Sequence, residues 1–193
     1  GIGECNLIKT LNIDTRGCNG INIDGFLSYK KLSVLKEIKE LKISFAKRKE
    51  ISAHAMLYVK EGIIHLKKTS LFELDVSECQ NLDYQVLEEI KEILLSLSSL
   101  KKFSLNLRES NMSQSNLGLH EVAQGLKLAQ ALEELYFDIT NADIDDLGIQ
   151  KLFEGINELF TLRKLKITFD KCKNLTEKAA ELMARYLRNN GML

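Results

Sequence analysis

Leu132-Glu133-Glu134-Leu135-Tyr136-Phe137 is the stretch of this 193-residue chain that decides its fold. It reads apolar-x-x-apolar-x-apolar, and its last two apolar positions alternate with polar ones, as in a β-strand with one buried and one exposed face. Stretches that begin at residues 8, 38, 71, 100 and 162 have the same pattern or a close form of it. The six starting positions are 29 to 33 residues apart. A repeat of this length predicts a stacked solenoid.

A second periodicity follows each predicted strand. Apolar residues there recur every three or four positions, for example at Leu82, Val86, Ile90, Leu94 and Leu97. This is the spacing of an amphipathic helix. Residues that can cap a helix N-terminus precede four of these stripes: Ser52, Asp83, Asp145 and Thr176. Each unit is therefore predicted to be a strand, a loop and a helix, and stacked units would form a parallel sheet with all helices on one side.

The strand pattern also predicts which side chains face the helices. The first inward row is Leu11, Leu41, Leu74, Phe103, Leu135 and Leu165, and the second is Ile13, Ile43, Val76, Leu105, Phe137 and Ile167. Phe72 falls outside both rows, so we expect it at the margin of the sheet. The fold class predicted from these rows is α/β, with one continuous apolar core between the sheet and the helices.

The six units resemble leucine-rich repeats, specifically the ribonuclease-inhibitor-like class. The resemblance covers essentially the whole chain and implies one domain over residues 1–193, a horseshoe solenoid with a parallel concave sheet and convex helices. The units exceed the roughly 20–29 residues usual for the family. The Asn or Cys that closes the family's strand motif is matched only by Cys79, and its counterparts are Arg16, Ala46, Arg108, Thr140 and Asp170.

The resemblance implies a non-catalytic scaffold that binds a protein partner through the concave sheet. The outward strand positions carry charges of both signs and one aromatic residue, Tyr136, of the kind that anchors protein interfaces. The candidate partner-binding residues are Glu40, Lys42, Glu73, Asp75, Lys102, Glu134, Tyr136, Asp138, Lys164 and Lys166. Two alternatives stay open. The charges could merely solvate the sheet, and the chain could be a structural subunit packed in a larger assembly through its helical face or open ends.

Composition argues against several other classes. The 27 basic and 27 acidic residues balance to a formal net charge of zero, and the basic clusters at 47–49 and 67–68 lack interleaved aromatic residues, which argues against nucleic acid as a partner. The longest apolar runs are far shorter than the roughly 20 residues of a membrane span. His54, His65 and His120 fall in different repeats, and no phosphate-loop or nucleophile motif is present. We therefore expect no metal, no cofactor and no enzyme activity.

The cysteines and the chain ends carry two further expectations. The four cysteines, Cys5, Cys18, Cys79 and Cys172, lack the C-x-x-C spacing of zinc and redox sites. We expect free thiols in a reducing compartment, which favours a cytoplasmic location. Leu193 stands 31 residues after Leu162, where a seventh unit would begin. We therefore expect these six units to belong to a longer array or to dock against another molecule.

Overall fold

The computed structural model describes residues 7–49, 51–80, 82, 84–110 and 114–189, and strands alternate with helices along them. The strands are β1 (Thr10–Asp14), β2 (Glu40–Ser44), β3 (Leu71–Asp75), β4 (Lys102–Asn106), β5 (Glu134–Asp138) and β6 (Lys164–Thr168). The helices are α1 (Ile23–Leu27), α2 (Ala53–Ile63), α3 (Tyr84–Ser96), α4 (Ser115–Leu128), α5 (Asp146–Ile156) and α6 (Glu177–Asn189). A 3₁₀ segment, Ser28–Val34, follows α1 directly.

The six strands form one parallel sheet in chain order, from β1 to β6. Each strand pairs with the next along all five of its residues, and consecutive helices pack against one another. One continuous apolar core lies between the sheet and the helices. The predicted parallel sheet with its layer of helices is confirmed, since each repeat adds the same strand and the same helical stripe to its neighbour.

The register of the third repeat differs from the prediction by two residues. Phe72 pairs with Leu41 and Phe103, and Leu74 occupies the second inward row. The prediction that Leu74 and Val76 are the two inward residues of this strand is therefore wrong, as is the marginal position of Phe72, which is fully buried. Val76 is also buried, but it lies just after β3.

Thr69 explains why the pattern misplaces this repeat. It occupies the first apolar position of the unit, where the prediction placed Leu71, and it is fully buried. Its hydroxyl donates a hydrogen bond to the carbonyl of Ile38 at 3.2 Å. A buried polar side chain is tolerated where it is hydrogen-bonded, but it hides the position from a search for apolar residues.

The helix caps follow the prediction where the structure describes them. The side chain of Ser52 accepts a hydrogen bond from the backbone of Ala55, and that of Asp145 accepts two from the first turn of α5. The hydroxyl of Thr176 accepts from the backbone of Lys178 at 3.2 Å. These bonds satisfy backbone donors that the helix itself leaves unpaired. Asp83 lies outside the described residues.

Every strand ends in the same turn. In the first five repeats the last strand residue accepts a hydrogen bond on its side-chain oxygen from the backbone N–H two residues later; these residues are Asp14, Ser44, Asp75, Asn106 and Asp138. Three residues after each strand the backbone is left-handed, with φ between 54° and 65°, at Gly17, Lys47, Glu78, Glu109, Asn141 and Lys171. Short polar side chains favour such turns because they bond to the nearby backbone.

The residue after the left-handed position can bond back to the preceding repeat. The Cys79 thiol donates to the carbonyl of Phe45 at 3.3 Å, and the Ser110 hydroxyl donates to that of Val76 at 2.6 Å. Cys172 makes the same contact in the last repeat, where its thiol donates to the carbonyl of Ile139, just after β5, at 3.1 Å. The position equivalent to Cys79 is thus filled by Cys18, Arg48, Ser110, Ala142 and Cys172. The counterparts inferred from the family pattern lie two residues too early, because they were counted from Leu71.

The placement of Cys79 predicts its reactivity. Reaction of the folded protein with N-ethylmaleimide at mildly alkaline pH is expected to modify the exposed Cys18 and to leave Cys79 intact. Burial raises the pKa of the Cys79 thiol to about 11, so little thiolate forms and the reagent cannot reach it. Peptide-level mass spectrometry measures each site separately. In urea both thiols should react, whereas equal rates in the folded protein would contradict the buried position.

The first helical layer is the most irregular part. The short α1 and the 3₁₀ segment replace a long helix, and α2 packs closely on the 3₁₀ segment at Gly62, where a Cβ atom would overlap the carbonyl oxygen of Tyr29. The buried Arg48 lies beside them, with its guanidinium 4.7 Å from the ring centre of Phe26 and donating to the carbonyl of Ile21 at 2.7 Å. The close approach of α2 to the 3₁₀ segment requires glycine at position 62, because any other residue would bring a Cβ atom against Tyr29.

Candidate functional site

The candidate site is the sheet face, by which we mean the strand side chains that point away from the helices. They form three columns: Thr10, Glu40, Leu71, Lys102, Glu134 and Lys164; Asn12, Lys42, Glu73, Ser104, Tyr136 and Lys166; and Asp14, Ser44, Asp75, Asn106, Asp138 and Thr168. All ten predicted binding residues lie on this face. Because the third repeat is shifted, Glu73 and Asp75 each stand one column later than predicted, and Leu71 joins the first column.

Four of the predicted residues form one compact group, which we call the Glu134 cluster: Lys102, Glu134, Tyr136 and Lys164. The Glu134 carboxylate lies 2.8 Å from the Lys102 ammonium and accepts a hydrogen bond from the Tyr136 hydroxyl at 2.8 Å. The Lys164 ammonium lies 3.9 Å from the same carboxylate and 5.3 Å from the centre of the Tyr136 ring. One carboxylate therefore joins side chains from three adjacent strands.

The electrostatics of the Glu134 cluster hold its charges in their ordinary ionised forms. The hydrogen bond from Lys102, followed by that from Tyr136, lowers the pKa of the Glu134 carboxyl. The same bond to Glu134 raises the pKa of Lys102, and contact with Tyr136 and Glu134 raises that of Lys164. Each shift moves the pKa of the group further from neutral pH, because hydrogen bonds to the charged form, and opposite charges nearby, favour that form. The cluster is thus a group of three ionised side chains around one aromatic ring.

The other half of the sheet face is more polar and contains a shallow depression of about 310 Å³. Lys42 pairs with Glu73 at 3.0 Å, and the Ser44 hydroxyl donates to Asp75 at 3.2 Å. The depression also includes residues that the sequence did not single out as binding residues: Asn12, Asp14, Arg16, Ser104 and Asn106. The outward strand positions of Asn12, Asp14, Ser104 and Asn106 were visible in the repeat, but short polar side chains carry no anchor-like signal of their own. Arg16 lies just beyond β1, outside the strand pattern.

The remaining predicted residues are dispersed. Glu40 accepts a hydrogen bond from the Thr10 hydroxyl at 3.4 Å at one end of the sheet. Lys166, at the other end, makes no ion pair with the described residues. Asp75 and Asp138 both receive a backbone N–H in the turn after their strands. These two carboxylates therefore have a structural role on the sheet face whether or not they also touch a partner.

The three histidines lie away from the sheet face. His54 is in α2, where its ring is edge-on to that of Tyr58, His120 is in α4, and His65 is between α2 and β3. Within the described ranges, no group of three or more His, Cys, Asp or Glu side chains could hold a metal ion. The helices of these ranges include none that is long and apolar enough to cross a lipid bilayer.

A parallel sheet in chain order, a helix in each crossover and one recurring turn define an α/β fold of the leucine-rich-repeat-like class. This fold is similar to a solved structure of the tropomodulin C-terminal domain from Caenorhabditis elegans, with a TM-score of 0.58 and 14% sequence identity over 89% of this chain and 94% of that chain. No model of a known protein family matches the sequence, and no curated protein matches it. At this identity the similarity shows the fold alone.

Proposed function

We propose that this chain is a non-catalytic protein-interaction module that binds a protein partner through its sheet face. In the same proposal the six repeats curve as in the ribonuclease-inhibitor-like class, which makes the sheet face concave, and the free thiols of Cys18, Cys79 and Cys172 suit the cytoplasm. The observation that carries the proposal is the Glu134 cluster. It presents a half-buried aromatic ring among charged side chains of β4, β5 and β6, toward one end of an open surface.

The geometry of the cluster suits protein recognition. Tyr136 is held by its hydroxyl bond to Glu134 and by the Lys164 ammonium near its ring. A side chain already fixed in place loses less conformational entropy on binding. Tyrosine is also among the residues that most often contribute strongly to binding free energy. The ring can therefore pack against an apolar group of the partner while the surrounding charges set its orientation.

Substitution of Tyr136 by Ala is expected to weaken partner binding about 30-fold, which corresponds to about 2 kcal/mol for an interface anchor. The partner is first captured from the native source on the immobilised wild-type chain and identified by mass spectrometry. It is then purified and titrated against wild type and Tyr136→Ala by isothermal calorimetry. Thermal unfolding of the variant, followed by circular dichroism, checks that the fold is retained.

Tyr84→Ala is the matched control, because it removes the same side chain from the start of α3, in the helical layer. Binding through the sheet face requires that Tyr84→Ala retain the wild-type affinity. Equal affinities of Tyr136→Ala and wild type would refute the proposal. A loss with Tyr84→Ala alone would place the interface on the helices.

A second candidate function is structural packing in a larger assembly. The observation in its favour is a pair of highly exposed apolar side chains, Leu128 at the end of α4 at 69% and Phe160 in the connection between α5 and β6 at 81% exposure. Scattered exposed apolar residues are common on soluble proteins, whereas a contiguous apolar patch marks an interaction site. Under this alternative the purified chain self-associates in analytical ultracentrifugation. Under the first proposal it sediments as a monomer.

A further inference from the structure

The free edge of β6 carries backbone groups that every earlier repeat uses to bind the next one. The carbonyl just before each strand accepts hydrogen bonds from the following repeat, at Lys9, Lys39, Ser70, Lys101 and Glu133. Backbone N–H groups after each strand donate to the following repeat: Thr15, Phe45, Val76, Leu107 and Ile139, then Gly17, Lys47, Glu78, Glu109 and Asn141. The equivalent groups of the sixth repeat are the carbonyl of Arg163 and the N–H groups of Phe169 and Lys171. No strand of the described residues lies beyond β6 to receive them.

The core is also open beside β6. The residues equivalent to Leu165 and Ile167 in β2 to β5 are at most 2% exposed, whereas Leu165 and Ile167 themselves are only partly buried. Ile167 lines a groove of about 780 Å³ together with Phe169, Leu175 and Met183. Apolar side chains projecting from an added strand would cover this groove just as each repeat covers the one before it.

The charges of the sheet face indicate which strand would fit. Adjacent strands place opposite charges side by side, as at Lys42 and Glu73 (3.0 Å) and at Lys102 and Glu134 (2.8 Å). β6 presents Lys164 in the first column and Lys166 in the second. Lys164 reaches Glu134 only at 3.9 Å, and Lys166 has no ion pair within the described ranges. A neighbouring strand with carboxylates at its first and third positions would place one carboxylate beside Lys164 in the first column and one beside Lys166 in the second.

We propose that the free edge of β6 binds an extended acidic segment of a partner protein, which joins the sheet as a parallel strand. Its first and third residues carry carboxylates that face Lys164 and Lys166, and its second and fourth residues are apolar and cover the groove. The carbonyl of Arg163 and the N–H groups of Phe169 and Lys171 form hydrogen bonds with the backbone of the added segment and fix its register on β6. This edge adjoins the Glu134 cluster and shares Lys164 with it, but Lys166 and the backbone groups of Arg163, Phe169 and Lys171 lie outside the cluster, so the inference goes beyond the proposed function.

A second copy of this chain fits the edge less well. A copy stacked head to tail would present β1, whose first and third strand residues are Thr10 and Asn12. Neither side chain is charged, so Lys164 and Lys166 would remain without carboxylates opposite them. The charge pattern of the sheet therefore favours an acidic segment from another protein over self-association.

The test uses a fluorescein-labelled peptide that copies residues 131–142 of this chain with Y136E, which gives carboxylates at the first and third strand positions. The matched control peptide carries E134K and Y136K and keeps every apolar residue. Fluorescence anisotropy against the whole chain is expected to show saturable binding of the acidic peptide and at least about tenfold weaker binding of the basic one. Amide exchange measured by NMR is expected to slow at Phe169 and Lys171 when the acidic peptide is bound.

Two protein variants complete the test. Lys166→Glu is expected to weaken the acidic peptide about tenfold and to strengthen the basic one, because the charge facing the third position is reversed. Lys36→Glu makes the same charge change in the segment before β2 and is expected to leave both affinities unchanged. The inference is overturned if neither peptide saturates, if both bind equally, or if Phe169 and Lys171 exchange as fast as before. It is also overturned if the chain self-associates and Lys166→Glu abolishes that association, since a second copy would then be the occupant.

Discussion

Replacement of Phe72 by Ala is expected to lower the free energy of unfolding by about 3–5 kcal/mol. Phe72 is fully buried, and its ring stacks on that of Phe103 with 5.8 Å between the ring centres. Phe103 in turn contacts Phe137 edge-on at 6.1 Å. Removal of the Phe72 ring leaves a cavity in this row, and Phe103 loses the ring that stacks on it. Urea denaturation followed by far-ultraviolet circular dichroism measures the loss.

Leu71→Ala is the matched control for this measurement. Leu71 is the adjacent residue, but it points to the sheet face and is only partly buried. Its replacement is expected to lower the free energy of unfolding by less than about 1 kcal/mol, because folding removes less of this side chain's apolar surface from water. The apolar pattern of the sequence implies the opposite order, with Leu71 buried and Phe72 at the margin. A larger loss for Leu71→Ala than for Phe72→Ala would restore that register and contradict the strand pairing described above.

Gly62→Ala is expected to lower the free energy of unfolding by about 2–3 kcal/mol. In a helix interior this exchange ordinarily stabilises by about 1 kcal/mol. In α2 the added Cβ would overlap the carbonyl oxygen of Tyr29 and lie 2.9 Å from its carbon, which are backbone atoms of the 3₁₀ segment. Backbone atoms cannot rotate away, so the two segments must separate. Thermal and urea unfolding of the variant measure the cost.

Gly25→Ala separates the effect of crowding from that of the substitution itself. Gly25 is also helical and also has a close neighbour, but that neighbour is the Cγ2 methyl of the Ile21 side chain, which can change rotamer. Gly25→Ala is therefore expected to change the stability by less than about 1 kcal/mol in either direction. A neutral Gly62→Ala variant would show that the 3₁₀ segment does not press on α2 as closely as described.

Most of the architecture follows from repetition in the sequence. In five of the six repeats the two inward strand residues are apolar at the expected positions, and their pairing is as predicted. The third repeat was misplaced because Thr69 is polar and Leu71, two residues later, is apolar. The burial of Thr69 depends on its hydrogen bond to the carbonyl of Ile38 in the preceding repeat. A contact between residues 31 positions apart leaves no local mark in the sequence.

The candidate site was only partly predictable for a similar reason. Outward positions follow from the period of two along each strand, which places all ten predicted residues on the sheet face. Which of them meet depends on the pairing of strands and on side-chain reach, so the convergence of Lys102, Tyr136 and Lys164 on Glu134 needs the structure. The role of Asp75 and Asp138 in their turns depends likewise on the backbone N–H two residues on. Whether these residues bind a partner stays a prediction.

The stacking of the repeats has a consequence for how the molecule comes apart. Contacts between the described elements join only members of the same repeat or of adjacent repeats. Such a chain behaves like a one-dimensional lattice, in which each unit is stabilised by its own folding and by two interfaces. An end unit has only one interface among the described repeats, so fraying begins there and advances inward, and the detachment of β6 and α6 would leave the earlier strands paired. Damage to one repeat is thus felt directly by its two neighbours, and by the others only through them.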